Sequence, residues 1–342
     1  MRANETARDL LARDRVRLRH RVEYAAFRSV LAGAGRLSDD RAAAAGAALG
    51  RLGYPLGIKR DIVEANLRIA FPDADAEWIE RVARASYEHL GRETMMMLRL
   101  ATMSREELIE RTSTTNEDAA MAAVERGRGI VVVAGHLGNW EIGAAMMAAR
   151  GYAIDIIAKR AANPLFYEKV LSARERLGVG VIDFQRATRQ ALHALRAGRS
   201  VAFAADQHAG RSGLWVPYFG RLASTYRGPA LMALRTGAAM FLSVPLRMAD
   251  GTYRTTLDPI PVERTGDMDR DVRRLTETYT RRLEEAVRAN PEQYVWQHRR
   301  WRTPPVGVRQ DAAVAAEEEP GMAPQEERGI GPEEEPDTEP EV

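Results

Sequence analysis

The stretch at residues 129–141 reads GIVVVAGHLGNWE, and it decides how the rest of the chain is interpreted. The apolar, mostly β-branched run Ile130–Ala134 follows a glycine, which is typical of a buried central strand. His136 comes two residues after this run, and a helix is predicted over Gly138–Arg150. Ligands bind at the carboxyl ends of the strands in open α/β sheets. The sequence therefore places His136 where a substrate would lie.

Glu141 is the nearest acid to this histidine and lies five residues after it. On one continuous helix this spacing gives a net rotation of roughly 140°, which would point the two side chains apart. If His136 instead precedes the helix, Glu141 can fold back and accept the proton of one ring nitrogen. The other nitrogen would then be available as a general base. The alternative is a structural histidine after a strand, and the spacing alone does not decide between the two.

Strands alternate with helices from residue 129 onward, which predicts an α/β fold. The further predicted strands are Ala153–Ala158, Val179–Ile182, Ser200–Ala204, Leu214–Tyr218, Ala239–Leu246 and Tyr253–Leu257. The further predicted helices are Leu165–Leu177, Ala187–Ala197, Pro229–Thr236 and Asp269–Ala289. The predicted fold class is α/β, with a mixed, largely parallel central sheet flanked by helices, a helical N-terminal region and a disordered acidic C-terminal tail.

The chain divides into three predicted parts: a helical region over residues 1–110, an α/β domain over 111–305 and a disordered tail over 306–342. The predicted helices of the first part are Arg8–Leu31, Arg41–Leu52, Ile58–Phe71 and Ala76–Leu100. Their arginine-rich faces suit either helices that lie against lipid head groups or an ordinary helical subdomain. The tail is composed mainly of Pro, Glu, Gly and Ala, which cannot bury enough apolar surface to offset the entropy of ordering.

The charge of the chain is divided between its body and its tail. The net charge is only +2, but residues 311–342 contain twelve acids and one arginine, a charge of −11 that leaves +13 on residues 1–310. A basic body favours an anionic membrane surface, at about 1 kcal/mol for each basic residue near the lipid. The arginines are scattered and no nucleic-acid-binding motif accompanies them, so nucleic acid is not an expected partner.

Several classes of site are excluded by composition. The absence of cysteine excludes disulfides, thiolate metal sites and a cysteine nucleophile, and no metal or cofactor is predicted. The longest stretch without a charged residue, Gly129–Trp140, has 12 residues, fewer than the roughly 18 that a membrane-spanning helix needs. No secretory signal and no Gly-x-Ser-x-Gly nucleophile elbow is found.

Residues 135–141 resemble the histidine–four residues–acid motif of the bacterial late (lauroyl/myristoyl) acyltransferases of lipid A biosynthesis. This family is part of the lysophospholipid-acyltransferase-like superfamily. Further segments agree with the family in order and spacing: Asn66–Pro72, Asp206-Gln207, Val216–Gly220, Ser224-Thr225, Gly228–Ala230, Arg247 and Pro291–Trp301. The resemblance covers roughly residues 20–305.

The resemblance implies transfer of a fatty acyl group from an acyl-carrier-protein thioester to a hydroxyl of a lipid A precursor or related glycolipid. It makes His136 the general base and Glu141 its partner. The substrate-binding residues that it implies are Asn139, Arg160, Asp206 and Arg247. Arg160 is expected to bind phosphate or brace the acceptor, and Asp206 to shape or polarise the site.

The expected partners are acyl carrier protein, a glycolipid acceptor and an anionic membrane surface. The family's hydrophobic N-terminal anchor corresponds here to residues 24–37, which Arg28 and Arg36 interrupt. We therefore expect a peripheral or monotopic association with the cytoplasmic face of the inner membrane.

Other acceptors and activities stay open at this point. Phosphatidylinositol mannoside or a lysophospholipid could replace the lipid A precursor, although Glu141 rather than Asp at the motif's end favours the lipid A branch. An acyl-thioester hydrolase could use His136 to activate water, and a non-catalytic lipid-binding module could keep the same fold. Acyl-chain length, the choice between acyl carrier protein and coenzyme A, and the oligomeric state are not predicted.

Overall fold

A seven-stranded sheet forms the centre of the structure, a computed structural model that describes residues 16–100 and 102–302. The strands are β1 (Thr112–Thr115), β2 (Ile130–Ala134), β3 (Ile154–Ala158), β4 (Val179–Asp183), β5 (Ser200–Ala204), β6 (Leu214–Tyr218), β7 (Arg221–Thr225), β8 (Ala239–Arg247) and β9 (Tyr253–Ile260). The strand order in the central sheet is β1-β9-β8-β2-β5-β3-β4, and β6 and β7 form a separate hairpin. Only the β8–β9 pair of the central sheet is antiparallel among these described strands.

Helices precede and cover this sheet. Before it come α1 (Leu18–Ala34), α2 (Asp39–Gly53), α3 (Arg60–Ala70), α4 (Ala76–Arg99) and α5 (Arg105–Arg111). Between and after the strands come α6 (Glu117–Ala123), α7 (Trp140–Ala149), α8 (Pro164–Arg176), α9 (Ala187–Arg196), α10 (Gly228–Thr236) and α11 (Met268–Ala289). The predicted fold class, a mixed and largely parallel sheet flanked by helices after a helical N-terminal region, is confirmed. The predicted tail over 306–342 lies outside the described residues.

The alternation of side chains along β2 divides the core into two layers. Val131 and Val133 pack in a cluster with Met232 of α10 and Leu283 of α11. Ile130 and Val132 face the opposite side and pack in a separate cluster with residues of α6 and α7. Because both faces of the strand are buried, its sequence is continuously apolar, as parallel strands usually are.

The strands β2 and β5 are parallel neighbours in register, with Ala134 opposite Ala204. The backbone ladder extends one residue further, since the amide of Ala205 donates to the carbonyl of Ala134 at 2.9 Å. On the other side of β2, Ala134 lies opposite Ser243 of β8. The residues that follow β2 and β5 therefore emerge side by side at the carboxyl edge of the sheet.

The N-terminal helices pack behind this edge through glycines. Gly46 and Gly50 of α2 face Gly91 of α4, and a Cβ at any of them would overlap the opposite backbone. On α4, Glu93 accepts a hydrogen bond from Asn139, the residue that precedes α7. Among the described residues, no helix combines the length and hydrophobicity needed to cross a bilayer.

Candidate active site

The register of the sheet brings His136 and Asp206 together. Each lies two residues beyond the end of its strand, and the two strands are parallel neighbours. Gly135 precedes the histidine, and a Cβ there would press against Leu283 and approach the Asp206 carboxylate at 3.4 Å. A larger residue here would therefore have to displace the end of the Leu283 side chain.

Asp206 holds the histidine through both of its oxygens. Oδ1 lies 2.7 Å from Nδ1 of His136, and Oδ2 accepts a hydrogen bond from the backbone amide of His136 at 2.7 Å. The Asp206 side chain is 2% exposed and that of His136 is 19% exposed. The carboxylate thus fixes the ring orientation, and it favours the tautomer in which Nδ1 carries the proton.

The electrostatics of the pair favour a charged imidazole beside a carboxylate. Burial lowers the pKa of His136, but the charge of Asp206 and its hydrogen bond outweigh burial and raise the pKa above its ordinary value, with a smaller contribution from Glu141. Burial likewise works against ionisation of Asp206, and His136 nevertheless holds the pKa of that carboxyl well below its usual range. The pair is therefore able to stabilise a proton taken up by His136.

The second ring nitrogen of His136 faces a cavity. Its Nε2 lies 3.3 Å from Nε2 of Gln207, which donates to it when Nδ1 carries the proton. Trp140 contacts the ring edge to face, with 4.6 Å between centroids. Since Nε2 has one lone pair, a substrate hydroxyl that gives its proton to this nitrogen has to take the place of the Gln207 amide.

The predicted contact between Glu141 and the imidazole is wrong. Glu141 lies in the first turn of α7, and its two oxygens bind Nε and Nη2 of Arg174 on α8 at 3.0 and 2.5 Å. Both side chains are largely buried, at 19% and 15% exposure. Because α7 begins at Trp140, Glu141 is already on the helix, and its side chain points toward α8 and not toward the histidine. The contact with the imidazole that was predicted for Glu141 is made by Asp206 instead.

The loop between β2 and α7 is held by the C-terminal segment. The amide of Val295 donates to the carbonyl of His136, and the amide of Gly138 donates to the carbonyl of Gln293, both at 3.0 Å. Gly138 has a φ of +62°, and a Cβ there would overlap the carbonyl of Pro245. These contacts give residues 291–301 a structural role: they fix the backbone on which His136 is presented.

A cavity of about 260 Å³ extends from His136 along the face of the sheet. Its floor is formed by small and aliphatic side chains of β2, β3 and β5, and α7 covers it. Its lining also includes the polar side chains of His136, Glu141, Lys159, Arg174, Gln207, Tyr226 and Ser243. A mostly apolar lining beside one histidine suits a hydrocarbon chain whose reactive end must meet a base.

The sequence profile of the bacterial lipid A biosynthesis acyltransferases matches residues 16–303. The chain belongs to this family. The match runs from the first helix to the end of the segment that clamps the His136 loop, so it includes every contact of the site described above.

Individual relatives are similar to this chain at about the same level of identity. A phosphatidylinositol mannoside acyltransferase of Mycolicibacterium smegmatis is 28% identical over 196 residues, which is 56% of this chain. The matched part spans 62% of that relative, less than two thirds of its length. The lipid A biosynthesis lauroyltransferase of Escherichia coli is 28% identical over 268 residues, 77% of this chain and 86% of the relative. The palmitoleoyltransferase of the same organism is 28% identical over 269 residues, 77% and 85% of the two chains.

Asn139 is fully buried, and this placement does not support the predicted substrate contact. Its Oδ1 accepts from the amide of Ile142 and caps α7, and its Nδ2 donates to Glu93 at 2.7 Å. Glu93 also accepts from the hydroxyl of Tyr253 at 2.7 Å and is 1% exposed. The asparagine therefore anchors the start of α7 to α4 and β9.

Arg247 and Arg160 lie apart from the cavity of His136. The Arg247 guanidinium donates to the hydroxyl of Tyr253 at 3.0 Å and lies 3.9 Å from Glu93, so it belongs to the buried network under α7. This placement does not support the predicted substrate contact of Arg247. Arg160 follows β3, and its Nε lies 3.3 Å from Asp183 at the end of β4.

Three residues that line the cavity were not among the predicted site residues: Lys159, Arg174 and Gln207, the last of which was noted only as part of the Asp206-Gln207 segment. Lys159 lines the cavity, and its ammonium lies 4.8 Å from the ring centroid of Phe184. Its position directly after β3 was a usable signal, although at this strand end only Arg160 was selected, through the family resemblance. Arg174 had no comparable signal, since only the packing of α8 against α7 identifies it as the partner of Glu141.

Metal binding has no visible basis in the described part of the chain. Across residues 16–100 and 102–302, no three His, Asp or Glu side chains are grouped so that they could hold a metal ion.

Proposed function

We propose that the protein is an O-acyltransferase that moves a fatty acyl group from an acyl-carrier-protein thioester to a hydroxyl of a lipid A precursor or related glycolipid. The observation that carries the proposal is the His136–Asp206 pair, whose histidine lines a mostly apolar cavity. Membership of the lipid A acyltransferase family supports the reaction class. The E. coli relatives, named for lauroyl and palmitoleoyl transfer in lipid A biosynthesis, align over most of both chains and support the acceptor class.

His136 is the general base in this mechanism. With Nδ1 protonated and held by Asp206, Nε2 takes the proton of the acceptor hydroxyl while the hydroxyl oxygen attacks the thioester carbonyl. The tetrahedral intermediate then collapses, the carbon–sulfur bond breaks, and the leaving thiolate takes the proton from Nε2. The Asp206 carboxylate stabilises the imidazolium between these two steps, and no covalent acyl-enzyme is needed.

The cavity of His136 is proposed to hold the donor's acyl chain. The thioester carbonyl has to lie beside Nε2, and from there the lining runs along aliphatic side chains of β2 and β3, among them Val132, Ile154 and Ile156. Burying such a chain contributes about 0.8 kcal/mol for each methylene group. Lys159 and Arg160 follow β3 at the same edge of the sheet, where they are proposed to contact phosphate of the donor or acceptor.

The reaction is proposed to take place at the cytoplasmic face of the inner membrane, with peripheral or monotopic attachment. The charge of +13 on residues 1–310 supports contact with anionic lipid. Leu49 and Leu52 of α2 and the following Leu56 and Ile58 are large apolar side chains exposed by 54% to 71%. These side chains are candidates for insertion into the interface of the bilayer.

The experiment is an acyl-transfer assay with purified protein, an acyl-carrier-protein thioester and three acceptor conditions: a lipid A precursor, phosphatidylinositol mannoside, and none. The proposal predicts a new ester on the lipid A precursor, detected by mass spectrometry. If the ester formed only on phosphatidylinositol mannoside, that lipid and not the lipid A precursor would be the acceptor. Release of fatty acid at an equal rate with and without acceptor would instead identify a thioester hydrolase.

A further inference from the structure

A second apolar cavity lies beside the cavity of His136. Its volume is also about 260 Å³, and it is bounded by α1, α4, α7 and α8. Met97 and Leu98 of α4 face Val170 and Ala173 of α8 across it. Phe27 of α1 also lines the space, and it packs against a phenylalanine of α8 with 4.8 Å between ring centroids.

The two cavities share one wall. Glu141, Ala144 and Arg174 line both of them. The wall is therefore the Glu141–Arg174 ion pair together with one methyl group of α7. A ligand in the second cavity would lie on the far side of this ion pair from His136.

The chemistry of the second cavity favours hydrocarbon. Of the residues that line it, only Thr94, Glu141, Lys169 and Arg174 carry polar side chains. Glu141 and Arg174 bind each other, and Thr94 and Lys169 are exposed residues at its rim. An apolar cavity of about 150 Å³ accepts benzene, so a larger one with the same kind of lining accepts several methylene groups.

We propose that this second cavity binds an acyl chain that the glycolipid acceptor already carries, while the donor's chain occupies the cavity of His136. This rests on the proposed function. The transfer brings two chain-bearing lipids to one histidine, and the structure has two apolar cavities on either side of a single wall next to it. The donor's thioester carbonyl must lie beside His136, which leaves the second cavity to the acceptor.

The position of α1 supports the same assignment. This helix bounds the second cavity through Phe27, and its side chains Leu18 and Val22 are 77% and 63% exposed. Apolar side chains exposed on a helix surface are favourable in a bilayer interface. A membrane lipid that enters along α1 would reach the second cavity before it reached the histidine.

The test compares acceptors that differ only in chain length: 3-hydroxyacyl glucosamine phosphates with chains of about 10 and about 14 carbons, and one fixed acyl-carrier-protein donor. Each buried methylene group changes affinity about fourfold. We expect the acceptor KM of the wild type to fall at least about tenfold from the shorter to the longer chain. Ala173→Trp fills the second cavity and not the cavity of His136. In this variant the acceptor KM should differ less than about threefold between the two chain lengths, and the preference among donor chain lengths should stay unchanged.

Glu168→Trp places the same bulk on an exposed position of the same helix and should keep the wild-type dependence on acceptor chain length. Val170→Phe fills the second cavity from another position and replaces Ala173→Trp if that variant does not fold. Retention of the full dependence in the filled variants would overturn the assignment, and a changed donor chain preference would place the donor chain in this cavity instead. Failure of the wild type to acylate any acceptor would overturn the proposed function, and the assignment with it.

Discussion

Two acidic residues near the start of α7 have contrasting surroundings. Asp206 comes from the neighbouring strand end, is 2% exposed and holds both the ring and the backbone amide of His136. Glu141 comes from the helix that follows the histidine and forms an ion pair with Arg174 between two cavities. Glu141, which is close to His136 in sequence, thus forms part of the wall between the cavities, whereas Asp206, 70 residues away from His136, binds the imidazole.

The largest effect is expected from His136→Ala. Removal of the general base should lower kcat/KM for acyl transfer by about 10³- to 10⁴-fold, because no other described side chain lies within hydrogen-bonding distance of Asp206 in a position to take its place. Steady-state kinetics measure the loss, and the thermal unfolding midpoint shows whether the fold is kept. Wild-type transfer by a folded His136→Ala protein would contradict the assignment of the base.

Asp206→Asn should be next, with a loss of about 10²- to 10³-fold in kcat/KM. The neutral amide can bind the wrong tautomer of His136 and gives no charge to stabilise the imidazolium. The carboxylate raises the pKa of His136 against the effect of burial, so its removal should move the acidic limb of the pH–rate profile to lower pH. An unchanged acidic limb would mean that Asp206 does not raise the pKa of the general base.

Arg174→Ala tests the ion pair between Glu141 and Arg174. It leaves the largely buried carboxylate of Glu141 without its cation and should lower the free energy of unfolding by about 3 kcal/mol. Denaturant titration measures this loss. The matched control is Arg84→Ala, which removes an exposed ion pair with Glu80 and should cost about 0.5 kcal/mol or less. Equal losses in the two variants would mean that the wall does not depend on the Glu141–Arg174 pair.

Glu93→Gln should have the smallest effect on activity. It removes the charge of a buried carboxylate that accepts from Asn139 and Tyr253, and an unfolding penalty of about 2 kcal/mol is expected. Because these contacts hold the start of α7 and not the reacting atoms, kcat/KM should fall by only about tenfold or less. A loss as large as that of Asp206→Asn would mean that this network sets the position of His136.

The sequence was informative wherever a signal was local. The run over 130–134, the glycines around His136 and the helix after them predicted β2, the site loop and α7 with small errors in their bounds. Ser200–Ala204 and Leu214–Tyr218 were predicted with the bounds that the structure has. Each of these segments carries its own apolar pattern or turn residues, so no distant contact is needed to recognise it.

Two strands were missed for lack of such a pattern. The sequence of β1 is Thr-Ser-Thr-Thr, which has no apolar residue, and it forms an edge strand only because β9 pairs with it. The strand β7 follows β6 after a two-residue turn, Phe219-Gly220, in which both φ angles are positive. A phenylalanine at a position that favours glycine or asparagine hides the hairpin from sequence inspection.

The partner of His136 was missed for a different reason. The strand order places β5 beside β2, and that order is set by how the helices pack on the two faces of the sheet. Asp206 was selected as a site residue, but its direct contact with the imidazole depends on the register of Ala134 with Ala204. The contacts of Asn139 and Arg247 could not be predicted either, because a buried network of residues distant in sequence binds both side chains beneath α7.

The pH dependence of kcat/KM in the wild type, Asp206→Asn and Glu141→Gln tests the central claim most directly, that Asp206 and not Glu141 holds the base. The account predicts that Asp206→Asn moves the acidic limb to lower pH and lowers the plateau by about 10²- to 10³-fold. Glu141→Gln should leave the limb near its wild-type position, because Glu141 contributes least to the raised pKa of His136. A larger displacement of the limb in Glu141→Gln than in Asp206→Asn would contradict the account.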